Sequence, residues 1–222
     1  MRSILCAISF AVLVTSLAIA QDSSAQEGAN KAKNEMKKES KMNPVVIMKT
    51  SMGTIKIELF EAEAPVTVKN FLGYVDEKYF DNTVFHRVIK KFMNQGGGFE
   101  MGNPIKQKPT KAPIVNESTN GLKNDRGTIC MARTPDPNSA TSQFFINVVD
   151  NTSLNRNGGN AGYAVFGKIV EGMDVVDKIN DVPTQNAKAI ARSGDKEIET
   201  MFQDVPVKPV VVESVRRATA KK

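Results

Sequence analysis

The clearest pattern in this chain is the alternation of apolar and polar residues over short segments. Residues 54–59, TIKIEL, alternate strictly, which is typical of a strand with one buried face. Glycine, asparagine and proline separate most of the further candidates. Strands are predicted there at 84–89, 128–132, 142–149, 163–170 and 207–215.

Only two segments have the spacing of an amphipathic helix. One begins at Pro65, because proline suits a first helical turn, and the other covers about residues 173–180. The first places four apolar residues on one face: Val68, Phe71, Leu72 and Val75. Many short strands with two helices predict a mainly β fold that is closed or nearly closed.

The two ends of the chain differ from its middle. Residues 1–20 join Arg2 to an apolar run that ends in Ala-Ile-Ala, which predicts a cleaved secretory signal and a periplasmic or secreted protein. An uncleaved anchor is the alternative, although the run is shorter than the ~20 apolar residues of a spanning helix. Residues 21–43 are polar and predict a flexible tether, 44–217 the folded domain, and 218–222 a basic tail. No later segment predicts membrane insertion.

Composition narrows the chemistry. The net charge of +6 is scattered and lacks interleaved aromatic residues, so no nucleic-acid partner is expected. With one histidine, and one cysteine after signal cleavage, neither a Cys/His zinc site nor a multi-histidine metal site is expected. That cysteine, Cys130, lies in an apolar segment, so we expect it to be buried.

Residues 85–99, FHRVIKKFMNQGGGF, contain the only histidine and three consecutive glycines. The glycines are not followed by Lys and Ser/Thr, so they form no phosphate-binding loop. Strand alternation would place His86 with Val84 and Val88, and Arg87 on the opposite face. His86 is therefore predicted to be a packed core residue. Arg87 either has a specific task or is an ordinary arginine on an edge strand.

Residues 142–147, SQFFIN, predict a strand with one unusual face. Alternation puts Gln143, Phe145 and Asn147 together, whereas Phe144 and Ile146 point the other way. A face that mixes amides with an aromatic ring is typical of a concave site that binds an apolar group. A strand end packed beneath a loop is the alternative.

Five segments stand out within the folded domain: FHRVI (85–89), FMNQGGGF (92–99), MAR (131–133), SQFFIN (142–147) and YAVFG (163–167). In order and spacing they resemble the cyclophilin family of peptidyl-prolyl cis-trans isomerases, and the resemblance covers nearly all of the domain. Residues 120–128, NGLKNDRGT, and residues 131–151, MARTPDPNSATSQFFINVVDN, resemble most closely its exported bacterial branch. The resemblance implies an eight-stranded antiparallel β-barrel capped by two α-helices. It also implies a monomeric enzyme that rotates X–Pro peptide bonds without cofactor or metal.

The resemblance also implies roles for individual residues. Arg87 matches the catalytic arginine, and Phe92 and Gln95 are grouped with it as catalytic. The remaining matches would bind substrate. Met93, Phe145 and Leu154 would form an apolar wall, and Gln143 would supply an amide. Ala132 and Arg133 would form an edge for the substrate backbone, and Tyr163 would lie at the rim.

Two features depart from the family pattern. Ser153 stands where many eukaryotic members carry tryptophan, which places strong cyclosporin binding in doubt. Residues 183–206 form a longer connection than is usual in the family, and a short amphipathic turn is predicted within it. This segment is either a tolerated surface loop or a partner-binding element. The residues that suggest the turn are Glu197, Ile198, Met201 and Phe202.

Three functions follow from these patterns. The favoured one is an isomerase that acts on proline-containing unfolded or nascent polypeptides during the folding of exported proteins. A peptide-binding chaperone without catalysis is the alternative on the same barrel. A nucleic-acid-binding module would have only the net charge in its favour.

Overall fold

The computed structural model describes residues 43–194 and 196–218. The predicted signal at 1–20, nearly all of the predicted tether at 21–43 and the predicted tail beyond residue 218 lie outside the described residues. Within them the first strand begins at Val45 and the last ends at Arg217. No helix in this part of the chain is long and apolar enough to cross a bilayer.

The described residues form 13 strands in one sheet, two α-helices and a short 3-10 helix at Thr152–Leu154. The helices are α1 (Pro65–Asp76) and α2 (Met173–Asn180), so α2 has the predicted bounds. The first seven strands are β1 (Val45–Thr50), β2 (Gly53–Leu59), β3 (Thr83–Val84), β4 (Arg87–Ile89), β5 (Met93–Gly96), β6 (Phe99–Glu100) and β7 (Ile105–Gln107). The others are β8 (Thr128–Met131), β9 (Phe144–Asn147), β10 (Val165–Glu171), β11 (Thr184–Ser193), β12 (Lys196–Pro206) and β13 (Val211–Arg217).

Eight strand positions of this sheet, one of them shared by the two short strands β3 and β4, form a barrel. The strands β3 and β4 are consecutive parts of residues 83–89, and β3 pairs with β13 while β4 pairs with β5. Antiparallel pairs complete the ring in the order β13, β1, β2, β10, β8, β9 and β5. The predicted mainly β barrel with two α-helices is therefore confirmed, although the sheet contains 13 strands and the prediction gave eight. Strands β6, β7, β11 and β12 extend the sheet beyond the ring.

The barrel core forms as the alternating pattern predicts. Ile55, Ile57 and Leu59 of β2 are fully buried, and their polar neighbours lie on the other face. The predicted face of α1 packs onto the same core, where the Phe71 ring lies 5.2 Å from the ring of Phe166. Val176 of α2 belongs to this core as well. Both helices thus bury one apolar face against the barrel.

One predicted strand is interrupted. Residues 84–89 were expected to alternate without a break, but β3 ends at Val84 and β4 begins at Arg87. The prediction was wrong here because the chain changes partners, from β13 and β6 to β5, across the two intervening residues. Phe85 then joins the barrel core with Val88, while His86 packs against Phe99 outside it.

The segment 183–206 also differs from the prediction. No amphipathic turn forms there, because β11 and β12 pair as a long antiparallel hairpin from Thr184↔Pro206 to Ser193↔Lys196. We call residues 184–206 the β11–β12 hairpin. Ala189 and Ile190 of β11 continue the sheet by pairing in parallel with β7. An isolated amphipathic turn could not satisfy these backbone groups, whereas the ladder does.

Candidate active site

A cavity of about 180 Å³ lies on the outer wall of the barrel. Its position follows from β9, where Phe144 and Ile146 enter the barrel core and Phe145 points the opposite way, into a separate apolar cluster. The cavity is lined by nine of the ten predicted site residues: Arg87, Phe92, Met93, Gln95, Ala132, Arg133, Phe145, Leu154 and Tyr163. The tenth, Gln143, lies beside it and accepts a 3.0 Å hydrogen bond from Gln95 Nε2. We call this the proline cavity, after the substrate ring that the family resemblance leads us to expect there.

Strand register brings the central residues together. Arg87 of β4 is paired with Gln95 of β5, and Gln95 is paired with Phe145 of β9. Directly opposite residues in adjacent strands present their side chains on the same face, close enough to contact. The guanidinium, the amide and the aromatic ring therefore form one row across three strands, although 58 positions separate Arg87 from Phe145 in the chain.

The two arginines of the cavity differ in what they contact. The guanidinium of Arg133 is occupied by contacts within the protein. Its Nε and Nη2 each donate to the carbonyl of Gly162 at 3.1 Å, and its Cζ lies 4.4 Å from the centroid of the Tyr163 ring. Arg87 is exposed, and its guanidinium makes no hydrogen bond or ion pair with any described residue. The five donors of Arg87 are thus available to a ligand.

The three glycines shape the wall behind the amides. Gly97 has φ of +83°, a left-handed conformation that favours glycine. A Cβ on Gly98 would approach Cδ of Gln143 to 2.8 Å, closer than real Cβ contacts. Glycine at 98 therefore leaves room for the side chain of Gln143 beside Gln95. These glycines therefore permit close packing behind the amides.

A buried polar network holds the turn that carries Phe92. Asn180, at the end of α2, accepts a hydrogen bond from the N–H of Lys91 and donates to the carbonyl of Ile89 and to Oδ1 of Asn94. Lys91 has φ of +57°, so this turn needs such support. Sequence reasoning missed Asn180 because nothing local distinguishes an asparagine at a helix end from an ordinary surface residue.

The rim of the cavity is made by the loops after β9. The N–H of Tyr163 donates to the carbonyl of Leu154, and the Tyr163 ring stands edge-on to Phe145 at 5.5 Å. Ser153 is exposed and does not line the cavity, although its neighbour Leu154 does. The wall at this point is therefore built from aliphatic and aromatic carbon.

The remaining candidate side chains are packing residues. His86 is 2% exposed, and burial lowers its pKa to about 4, against a smaller opposing effect of the Val84 backbone. Gln143 lies near this ring, but His86 Nδ1 makes no hydrogen bond within the described part of the chain. Cys130 is fully buried as predicted, and burial raises the pKa of its thiol, so the reactive thiolate is disfavoured.

A second cavity adjoins the first, and sequence reasoning missed its far wall. It shares Arg87 and Gln95 with the proline cavity, and Met201, Phe202 and Gln203 of the β11–β12 hairpin line its other side. The only signal in the sequence was the apolar content of residues 198–202, which could not show where the segment packs.

Fold and site together define an antiparallel β-barrel with a cavity on its wall. The cavity combines apolar side chains, two linked amides and a free guanidinium, and such a mixture is typical of sites that bind an apolar group and orient it with a few polar contacts.

Comparison with known proteins identifies the family. Residues 45–217 match the family described as cyclophilin type peptidyl-prolyl cis-trans isomerase/CLD. A peptidyl-prolyl cis-trans isomerase of Acinetobacter baylyi is 53% identical over 174 residues, covering 78% of this chain and 85% of that protein. Peptidyl-prolyl cis-trans isomerase B of Escherichia coli is 55% identical over 174 residues, which cover 77% of this chain and 98% of that protein. The chain belongs to the cyclophilin-type peptidyl-prolyl cis-trans isomerases, a family of enzymes.

Solved structures agree with this assignment. The crystal structure of a cyclophilin type isomerase from Cryptosporidium parvum matches with a TM-score of 0.62 at 27% identity, covering 81% of this chain and all of that one. A second structure of the same protein was determined in the presence of the dipeptide Ala-Pro and matches with a TM-score of 0.60 at 28% identity.

Proposed function

We propose that this isomerase accelerates rotation about X–Pro bonds at the proline cavity, with Arg87 stabilising the twisted amide. Its substrates would be proline-containing unfolded or nascent polypeptides that fold after export. The observation that carries the proposal is the free guanidinium of Arg87 at the edge of an apolar cavity, next to a second arginine whose donors are occupied.

The reaction needs little more than such a site. Resonance gives the peptide bond partial double-bond character, with a rotational barrier of ~18–20 kcal/mol. Uncatalysed exchange at X–Pro bonds takes roughly tens to hundreds of seconds. As the amide twists, its nitrogen lone pair leaves conjugation and becomes able to accept a hydrogen bond. Arg87 would donate that bond, and because the planar amide cannot accept it, the interaction favours the transition state.

The other cavity residues would hold the substrate. Phe92, Met93 and Phe145 would bed the proline ring, and burying its carbons stabilises binding by about 25 cal/mol per Å². Gln95 and Gln143, joined to each other, would orient the guanidinium or contact the substrate backbone. The strand β8 ends at Met131, and the N–H of Ala132 donates to the carbonyl of Gln143 at 3.0 Å, so an edge for the peptide at Ala132 would use its carbonyl.

The setting of the reaction is also part of the proposal. Residues 1–20 have the pattern of a secretory signal and would direct the chain out of the cytoplasm, and residues 21–43 would separate the folded domain from the site of cleavage. Outside the cytoplasm the enzyme would work as a monomer on chains whose slow X–Pro bonds limit folding.

The test compares cis-to-trans rates of a short X–Pro peptide for the wild type and three variants. Arg87→Ala should lower kcat/KM about a hundredfold or more, the usual effect of removing a donor aimed at developing charge. Arg87→Lys keeps the charge but loses the planar fork, so it should recover only part of the activity. Lys90→Ala, which removes an exposed cation of the same segment that does not line the cavity, should behave as wild type.

Equal rates for wild type and Arg87→Ala would refute the assigned role of Arg87. If wild type and all variants failed to accelerate the exchange but still suppressed aggregation of an unfolded client, the cavity would be a peptide-binding site without catalysis.

A further inference from the structure

The β11–β12 hairpin is a packed part of the fold. Its underside joins β3, β6 and β7 in a second apolar cluster of five buried residues: Val84, Phe99, Ile105, Ala189 and Val205. Ala189 is fully buried within this cluster. A segment that shares a buried cluster with three other strands, and that is paired along most of its length with one register shift between Gln185 and Ala187, presents its outer residues in fixed positions.

Phe202 fixes the hairpin beside the catalytic strand. Its ring centroid lies 5.0 Å from that of Phe99, in an edge-on arrangement, and 6.0 Å from that of His86. His86 immediately precedes Arg87. The aromatic contact therefore places β12 next to the proposed catalytic arginine, more than one hundred positions away in the chain.

The cavity between the hairpin and Arg87 has a volume of about 400 Å³. On one side it is lined by Arg87, Gln95 and Gln143, and on the other by Met201, Phe202 and Gln203. Arg87 and Gln95 line the proline cavity as well, so the two cavities are neighbours that share these two side chains. An extended peptide advances about 3.3–3.6 Å per residue, so a peptide with its proline beside Arg87 would bring a residue one or two positions away to the second cavity.

The chemistry of the hairpin wall favours an apolar occupant. Met201 is apolar and yet 59% exposed. Two pairs of hairpin charges are joined to each other, Lys188 with Glu199 at 2.6 Å and Arg192 with Glu197 at 3.2 Å, and Asp204 does not line the cavity. The three residues that face the cavity, 201–203, carry no charge. A flexible thioether suits apolar side chains of varied shape.

We propose that this cavity is a specificity subsite, in which Met201 contacts an apolar side chain one or two residues from the substrate proline. The subsite rests on the proposed function, because it presumes that proline binds beside Arg87. Phe202 acts as a positioning residue that holds the hairpin in place, and Met201 makes the contact.

The experiment uses peptides around one X–Pro bond that differ at a single position, Leu or Ser, placed in turn at two positions before and two after the X–Pro pair. For wild type we expect a leucine-over-serine preference in kcat/KM at one of these positions. Met201→Ser should lower that preference by about fivefold, and Met201→Leu should keep it. Ile198→Ser is the matched control, since Ile198 is 49% exposed on the same strand but does not line the cavity.

The outcomes separate the two proposals. Loss of activity in Arg87→Ala on both peptides, with a preference that Met201→Ser does not change, would leave the proposed function standing and overturn the subsite. A preference that falls equally in Met201→Ser and Ile198→Ser would overturn it too, as would the lack of any leucine preference in wild type. Catalysis by wild type that persists in Arg87→Ala would refute the role of Arg87, whereas the preference ratio would still decide the role of Met201.

Discussion

The two walls that flank Arg87 are built in different ways. The wall of the proline cavity comes from β4, β5 and β9, whose ladder places Arg87, Gln95 and Phe145 in one row. The hairpin wall reaches the same arginine only through side-chain packing, by the contacts of Phe202 with Phe99 and His86. The proposed catalytic residue is thus held by backbone pairing with its neighbours, while the proposed specificity residue lies on a hairpin that pairs with β7 and is held near Arg87 by a few rings. Substitutions in the first wall should therefore act by misplacing the paired side chains, and substitutions in the second by removing packing contacts.

The largest expected effect is on the ladder-built wall. Gly98→Ala would force Gln143 away from Gln95 and misplace the row beside Arg87. Because displacements of about 1 Å can cost roughly a hundredfold in rate, kcat/KM on a short X–Pro peptide should fall by about that factor. Gly158→Ala is the control, since a Cβ there meets no atom within 4 Å. Similar activity in the two variants would contradict the geometric argument.

The stability of the fold should depend on pH through His86, whose ring lies between the two walls. Burial lowers the pKa of His86 to about 4, below an unfolded value near 6.5, so between these values only the unfolded state binds the proton. Stability is therefore complete above about pH 6.5 and falls as the pH drops toward 4, by about 2 kcal/mol between pH 7 and pH 5.

Urea unfolding of wild type and His86→Phe over this pH range measures the effect. Phenylalanine keeps an aromatic ring between Phe99 and Phe202 and removes the titrating group, so its free energy of unfolding should change much less with pH. His86 is the only histidine of the chain, which makes the comparison clean. The same slope in both proteins would show that other groups cause it.

Removing the anchor of the hairpin should cost less. Phe202→Ala deletes a half-buried ring from the second apolar cluster, so the free energy of unfolding should fall by about 1–2 kcal/mol, less than for a fully buried phenylalanine. The leucine preference described above should fall with it. Ile198→Ala, at an exposed position on the same strand, should change stability by less than about 0.5 kcal/mol. Equal losses would show that the ring contacts are not the anchor.

The smallest effect should come from the second arginine of the proline cavity. Arg133→Ala removes two hydrogen bonds to Gly162 and the cation over the Tyr163 ring, which support the rim and leave the reacting bond untouched. Exposed cation–π contacts are worth about 0.5–1 kcal/mol, so kcat/KM should fall only about two- to fivefold. A loss as large as that of Arg87→Ala would mean that the two arginines share the proposed task.

Much of the barrel and its site could be predicted from local pattern. Strict alternation predicted β2, the helical spacing predicted both helices, and the mixed face of residues 142–147 indicated a concave site where Phe145 and Gln143 now lie. Alternation failed at Phe85 and His86, because the strand changes partners there. Periodicity shows which face of a segment is buried, but it contains no information about its partner.

By itself, then, the sequence determined most strands and both helices, because these depend on neighbours close along the chain. It also determined the residues that surround the proline cavity, because their motifs resemble those of the cyclophilin family. The tertiary structure decided that Asn180 supports the turn of Phe92, that Arg133 is occupied while Arg87 is free, and that residues 184–206 pair into a hairpin beside the site. Each of these depends on contacts between distant segments, whose energies arise only when the folded chain brings the atoms together.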